Sequence, residues 1–169
     1  MVYPILFAFL FLFFSLRAQD RPVLQPGELI KLIPAQIPGF QPEGKPAGRM
    51  IRIGNISYSM VEHHFKNRNQ KIRILLFDYN NALIMFNQAL RQWNTNGQNQ
   101  RPTPQDEGGL YRELVHPTQN TAQIFMGVNG RFFLNISAEY TDIELLRSVL
   151  NDINFEGMYR TPLDEAKYR

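Results

Sequence analysis

Apolar residues recur along this chain in two periods, and the change from one to the other outlines its elements. An almost unbroken apolar run opens the sequence from Val2 to Leu16, with five phenylalanines and four leucines and no charge. Residues 19–28 carry two prolines and a glycine and read as a lead-in. Glu28 to Ile33 has the spacing of a short helix, with Leu29, Leu32 and Ile33 on one side and Pro34 as its stop. Residues 41–48 hold Pro42, Gly44, Pro46 and Gly48 and read as a loop. From Met50 to Phe65 the pattern is extended and broken at Gly54-Asn55, as one long bulged strand or two short ones. Lys71 to Tyr79 is a further strand, apolar on both faces, which suggests a central strand covered on both sides.

Asn80 or Asn81 is placed to cap the next helix, whose stripe is Leu83, Phe86, Leu90 and Trp93. Residues 94–109 are polar and include Asp106-Glu107 and Gly108-Gly109, a loop longer than most. Three strands follow. Leu110 to His116 is the first. Ala122, Ile124, Met126 and Val128 alternate in the second, and Phe132, Leu134, Ile136 and Ala138 in the third. Asn129-Gly130 between them predicts a type I′ hairpin, because both residues accept positive φ. Thr141 with Glu144 reads as a capping box that opens a last helix, with Ile143, Leu146, Leu150 and Ile153 on its buried side and Gly157 at the end of the ordered core. The predicted fold is α+β: an antiparallel sheet of about five strands with two main helices packed on it, in the order α-β-β-α-β-β-β-α. The domain plan is a leader at 1–18, the lead-in at 19–48, the α+β domain at 49–158 and a polar tail at 159–169.

The fifteen residues of the opening run would span about 22 Å as a helix, short of the ~20 residues that a bilayer core requires. Together with Ala18 before Gln19, this predicts a cleaved signal peptide and a periplasmic or extracellular location. An uncleaved anchor is the alternative. There is no cysteine, which excludes disulfides, thiolate chemistry and a lipoprotein acyl anchor. The formal net charge of +3 is too small to point to nucleic acid, and none is expected as a partner.

The distribution of charge says more than its sum. Lys45, Arg49, Arg52, Lys66, Arg68, Lys71 and Arg73 are opposed within that stretch only by Glu62, whereas Glu139 to Glu165 holds seven acids against Arg147 and Arg160. Arg49, Arg52, Lys66, Arg68, Lys71 and Arg73 therefore form a candidate basic hairpin for an anionic partner, a lipid or an envelope polymer. The opposing reading is that these charges guard exposed sheet edges against aggregation. Phe125 and Phe133 occupy hairpin positions where polar residues are expected, and either pack a second layer or line a ligand groove.

Catalytic motifs are absent. Neither Gly-x-Ser-x-Gly nor a phosphate-binding glycine loop occurs. His63 and His64, as neighbours on a strand, point to opposite faces and cannot readily share a metal ion. Glu62, His64 and His116 are a geometrically possible metal set, but no metal or cofactor is called for. A small hydrolase would have to draw on Asp78, His63 or His64, and the loop acids Asp106 and Glu107. Asp78 is otherwise read as an acid favoured by the start of the following helix. No catalytic residue is assigned.

Several landmarks together resemble a group of small exported proteins of Bacteroidetes-type bacteria. They are the Leu32-Ile33-Pro34 to Ile37-Pro38-Gly39-Phe40 segment, the Lys71 to Asp78 strand before a helix ending at Trp93, the Asn129-Gly130-Arg131 hairpin and the closing helix that runs into Phe155. The resemblance covers roughly residues 29–158 and implies an envelope or secreted location, but no activity. At the level of fold the order of elements is similar to PsbP-like α/β sandwiches. The expected function is a non-catalytic binding or accessory module, acting on an envelope protein, a lipid or an anionic polymer. The small exported hydrolase and the binder of anionic surfaces are the alternatives.

Overall fold

The computed structural model describes residues 23–94 and 111–162, with the side chains of Asn81, Leu83, Leu90, Gln92, Trp93 and Asn94 left aside. The leader at 1–18, the loop acids Asp106 and Glu107, and the tail beyond residue 162 lie outside the described residues.

An antiparallel sheet carries the fold, with helices packed on both of its faces. Its strands are β1 (Gln41–Pro42), β2 (Ala47–Ile53), β3 (Ile56–Asn67), β4 (Gln70–Asn81), β5 (Tyr111–His116), β6 (Thr121–Val128) and β7 (Phe132–Glu139). The helices are α1 (Pro26–Leu29, continued by a 3-10 turn to Leu32), α2 (Leu83–Asn94), α3 (Ile143–Asn151) and α4 (Phe155–Arg160). The strands run β1-β3-β4-β7-β6-β5, and β2 pairs with the same edge of β3 further along. All pairings are antiparallel.

The sheet thus has seven strands among the described residues, not about five. The difference arises in the stretch read as a loop. Gln41–Pro42 and the start of β2 at Ala47 pair with the outer edge of β3, where a proline costs no ladder hydrogen bond. The break at Gly54-Asn55 separates two strands, as one of the two sequence readings had it. The α-helices among the described residues number four, not two main ones with a short lead-in helix, because the chain stops at Asp152 and restarts at Phe155 under an Asn154 cap. The order of the long elements and the central place of β4 agree with expectation.

One face of the sheet is covered across its central strands. Val61, Phe65, Ile72, Ile74, Leu76, Ile124, Leu134 and Ile136 pack against Leu29, Leu32, Ile33 and Ile37 from the lead-in and against Leu146, Val149, Ile153 and Met158 from α3 and the end of the chain. Residues 19–48 are therefore not merely a lead-in: four of their side chains belong to the main core. The second face carries a smaller aromatic core, in which Tyr79, Phe86, Phe125 and Phe133 are buried with Ala82 at the start of α2. That core covers only the half of the face towards the β2–β3 turn.

Local details correct three readings. The cap of α3 is Asp142, whose carboxylate accepts from the Leu145 amide at 2.9 Å; Thr141 lies one residue earlier, with its hydroxyl buried and without a hydrogen-bond partner. Gly157 lies inside α4 and does not end the core. A Cβ there would meet Leu32 at 2.7 Å and Asn154 at 2.8 Å, so the glycine is what lets α4 close on the 3-10 turn. Neither Asn80 nor Asn81 stands next to α2: β4 runs through Asn81, the helix begins at Leu83, and the Ala82 carbonyl accepts from Met85 and Phe86. The Asn129-Gly130 turn is as expected, with φ of 51° and 57° and a 3.1 Å bond from the Arg131 amide to the Val128 carbonyl.

Candidate functional site

The uncovered half of the second face is a shallow groove of about 340 Å³ that crosses β3, β4, β7 and β6. Its floor follows from register. His64 stands opposite Arg73, Arg73 opposite Ser137, and Ser137 opposite Gln123, so four polar side chains share one row across four strands. Side chains directly opposite one another sit about 5 Å apart, so the row spans roughly 15 Å. The next row towards the β3–β4 turn is Lys71, Glu139 and Thr121, and Glu43 closes the side beside β3 through a bond from its amide to the His64 carbonyl at 2.8 Å.

Charge in the groove is nearly balanced. Glu62 accepts from Arg73 Nε at 2.5 Å and lies 3.0 Å from His64 Nε2. Burial pushes the Glu62 carboxyl up, but the hydrogen bond and charge of Arg73, helped by His64, outweigh it and hold the group below the usual carboxylate range. Lys71 lies 3.9 Å from Glu139. Gln123, Ser137 and Thr121 add donors and acceptors that carry no charge. The floor is thus a hydrogen-bonding surface and not a strongly charged one.

Basic residues of the candidate hairpin fall into two groups. Lys66, Lys71 and Arg73 are on the groove face near the β3–β4 turn, and Arg68 is in the turn itself with φ of 54°. Arg49 and Arg52 are on β2, opposite Met60 and Ser57. Measured along β3, from Met60 opposite Arg49 and Ser57 opposite Arg52 to His64 opposite Arg73 and to Lys66, the two groups are four to nine residues apart, about 13–30 Å. Phe125 and Phe133 are 3% and 6% exposed, and both belong to the second apolar core. Their rings are 6.3 Å apart.

Residues that a hydrolase would need do not converge. His63 is buried on the main-core face, against Phe65. Burial pushes its pKa down, against the opposing pull of the Pro34 and Gly44 carbonyls. His64 is on the other face. Asp78 is fully buried and clamped by Arg131, whose Nε donates to Oδ1 at 2.7 Å and whose Nη2 donates to Oδ2 at 2.6 Å. Two backbone amides complete its shell, Leu24 at 2.7 Å and Asn80 at 3.0 Å. Asp78 is thus a tie between the lead-in, β4 and the β6–β7 turn, and does not serve the start of α2. Its oxygens are already engaged four times, which leaves little capacity for a substrate. His116 is on β5, four strands from His64, so the Glu62, His64 and His116 set is not assembled. No cluster of three metal-ligating side chains occurs among the described residues.

Family models, curated proteins and solved structures were compared with the chain, and none matches. The site therefore rests on its own geometry.

Sequence reasoning missed Gln123, Ser137, Thr121, Glu139 and Glu43. A signal for four of them was present. The outward positions of β6 read Thr121, Gln123, Phe125, and those of β7 read Phe133, Asn135, Ser137, Glu139. In each series the end towards the β3–β4 turn is polar and the other end aromatic, and the change marks where the second core ends and the groove begins. A further cluster stands apart from the groove: Arg147 of α3 donates to Glu113 of β5 at 2.7 and 2.6 Å, and also to Glu144. Tyr111 donates to Glu113 as well. Burial first, and the Glu113 bond and charge second, push the Tyr111 phenol up to about 12.

Proposed function

We propose that this chain is an exported binding or accessory module that works without catalysis, and that its binding surface is the polar groove on the open half of the sheet. The observation that carries this reading is the row His64–Arg73–Ser137–Gln123, held on rigid central strands and left uncovered where the rest of the sheet is packed. Fixed strands hold such groups in register better than a loop does. A groove of this size is at the lower end of ligand sites. Its near-neutral floor suits a hydroxyl- or amide-rich segment of a larger molecule, such as an envelope polymer or a partner protein, better than a compact ion.

The apolar run at Val2–Leu16 followed by Ala18-Gln19, and the resemblance to small exported bacterial proteins, support export. No helix among the described residues is long and apolar enough to cross a membrane. A hydrolase is the weaker reading because Asp78, His63 and His64 are on different faces or already engaged. Binding is tested by amide chemical-shift mapping of the labelled protein against fractions of its host's envelope. Shifts centred on residues 64, 73, 123 and 137 are expected. Shifts centred elsewhere, or none with any fraction, would remove the groove from consideration.

A further inference from the structure

The end of the molecule opposite the β3–β4 turn has a composition of its own. The β2–β3 turn at Gly54-Asn55 presents Ile53 at 62% exposed, and Met50, three residues back on the opposite face of the same edge strand, is 40% exposed. Ile84, in the first turn of α2, is also 62% exposed. Register puts it at the same end of the sheet: Ile53 pairs with Ile56, the neighbouring Ser57 pairs with Asn81, and α2 begins two residues later at Leu83. These three are among the few large apolar side chains exposed in the described residues. Arg49 and Arg52 flank Met50 and Ile53 along the strand and are exposed. No acidic residue occurs from Ala47 to Val61 or from Tyr79 to Asn94, whereas Arg49, Arg52 and Arg91 do.

We propose that this end is a membrane-interface contact: the β2–β3 turn seats Ile53, with Ile84 at the same end, in the headgroup region of an anionic bilayer, while Arg52 beside the turn and Arg49 further back along β2 meet lipid phosphates. Ile53 at the tip of the turn and Ile84 at the start of α2 leave apolar surface in water, and a cover over that end would remove it from water. A protein partner could supply apolar cover, but the absence of any acid over two contiguous stretches favours a surface that is negative throughout. A soluble polyanion would satisfy the arginines and leave Ile53 and Ile84 in water. The chemistry therefore points to a lipid surface carrying phosphate headgroups. The position separates the basic residues: Arg52 is at this end, Arg49 stands between it and the groove opposite Met60, and Lys66, Arg68, Lys71 and Arg73 are at the groove end. The proposal is independent of the groove and of export, since anionic leaflets occur on both sides of a cytoplasmic membrane.

The test is flotation with vesicles of phosphatidylcholine alone or with 30% phosphatidylglycerol, a composition chosen as about a third anionic lipid. The protein used starts at Gln19, which removes the apolar leader and retains every described residue. Binding is expected to the anionic vesicles only, and to weaken with salt as Debye screening shortens. Arg49→Gln with Arg52→Gln should lower the partition coefficient roughly 25-fold, from about fivefold per basic side chain near the surface. Ile53→Asn should reduce the binding that remains at high salt, and Lys66→Gln with Arg68→Gln should leave binding within about twofold, because screening limits distant charges. Failure to float with anionic vesicles overturns the proposal. So does loss of binding in the Lys66/Arg68 pair alone, which would return the contact to the β3–β4 turn. Equal binding of soluble polyphosphate, undiminished in Ile53→Asn, would replace the bilayer with a free polyanion.

Discussion

Replacing Arg131 with methionine would leave the Asp78 carboxylate buried with no cation. Asp78 is 0% exposed and Arg131 2%, and the guanidinium engages both carboxylate oxygens as well as the Pro162 carbonyl at 2.5 Å. After the substitution the carboxylate keeps only the Leu24 and Asn80 amides. Removing one partner of a buried pair costs about 3–5 kcal/mol, most of it the penalty of the isolated charge. A domain of this size has a stability of about 5–15 kcal/mol, so the loss is a large share of the whole. With a urea slope of about 2 kcal/mol/M, a 4 kcal/mol loss lowers the midpoint by about 2 M. The double variant Asp78→Asn with Arg131→Met removes both charges, and its loss should fall short of the sum of the singles by at least about 1 kcal/mol. Urea denaturation of the four proteins measures both quantities. A single variant that loses under about 1 kcal/mol with an unchanged slope would refute the reading of Asp78 as a structural tie. It would also reopen the possibility that Asp78 is free to act on a substrate.

Three further outcomes follow from local geometry. Gly157→Ala should lower stability by about 1–3 kcal/mol despite the better helix former, because its Cβ meets Leu32 at 2.7 Å, whereas Gly27→Ala, with nothing within 4 Å, should be neutral or stabilising; paired thermal melts decide this. Asp142→Ala should cost about 1 kcal/mol of stability in urea as the cap of α3 is lost, while Thr141→Ala should cost less; the reverse order would return the cap to Thr141. His63 has a native pKa below its ordinary value, chiefly through burial, so below about pH 6.5 the unfolded chain takes up a proton that the native state resists. Stability should therefore fall with pH below about 6.5, by at most about 1.4 kcal/mol per unit from this group, and His63→Leu should remove that part of the slope between pH 7.5 and 5.5. Equal slopes in the two proteins would contradict the assignment.

Where a local rule and the tertiary context agreed, the sequence was informative. Asn129-Gly130 needs positive φ at both residues, and the turn forms there. The alternation in Ala122–Val128 and Phe132–Ala138 fixed both strands and the face they bury. The stretch from Gln41 to Gly48 was misread because its prolines and glycines oppose strand formation locally. Pairing with the edge of β3 supplies the ladder that local propensity lacks. Asp78 looked like a helix-start acid because Arg131, its partner, is 53 residues away and nothing in the sequence joins them. The groove was hidden for a similar reason. Its members come from four strands, and only the register brings His64, Arg73, Ser137 and Gln123 into one row. The basic hairpin looked single because charge was counted along the chain. Strand length spreads its members along the sheet, from Arg52 beside the β2–β3 turn to Lys66 and Arg68 at the β3–β4 turn.

Native mass spectrometry of the protein recovered from its own host tests the central claim most directly, with the unaltered chain compared to Gln123→Ala with Ser137→Ala. Both substitutions are on the open face and leave the main core untouched. The account predicts that the unaltered protein begins at Gln19 and carries a non-covalent mass, small molecule or protein, that the double variant has lost. A bare protein, or a bound mass that the double variant retains, would contradict a binding module that works through the groove.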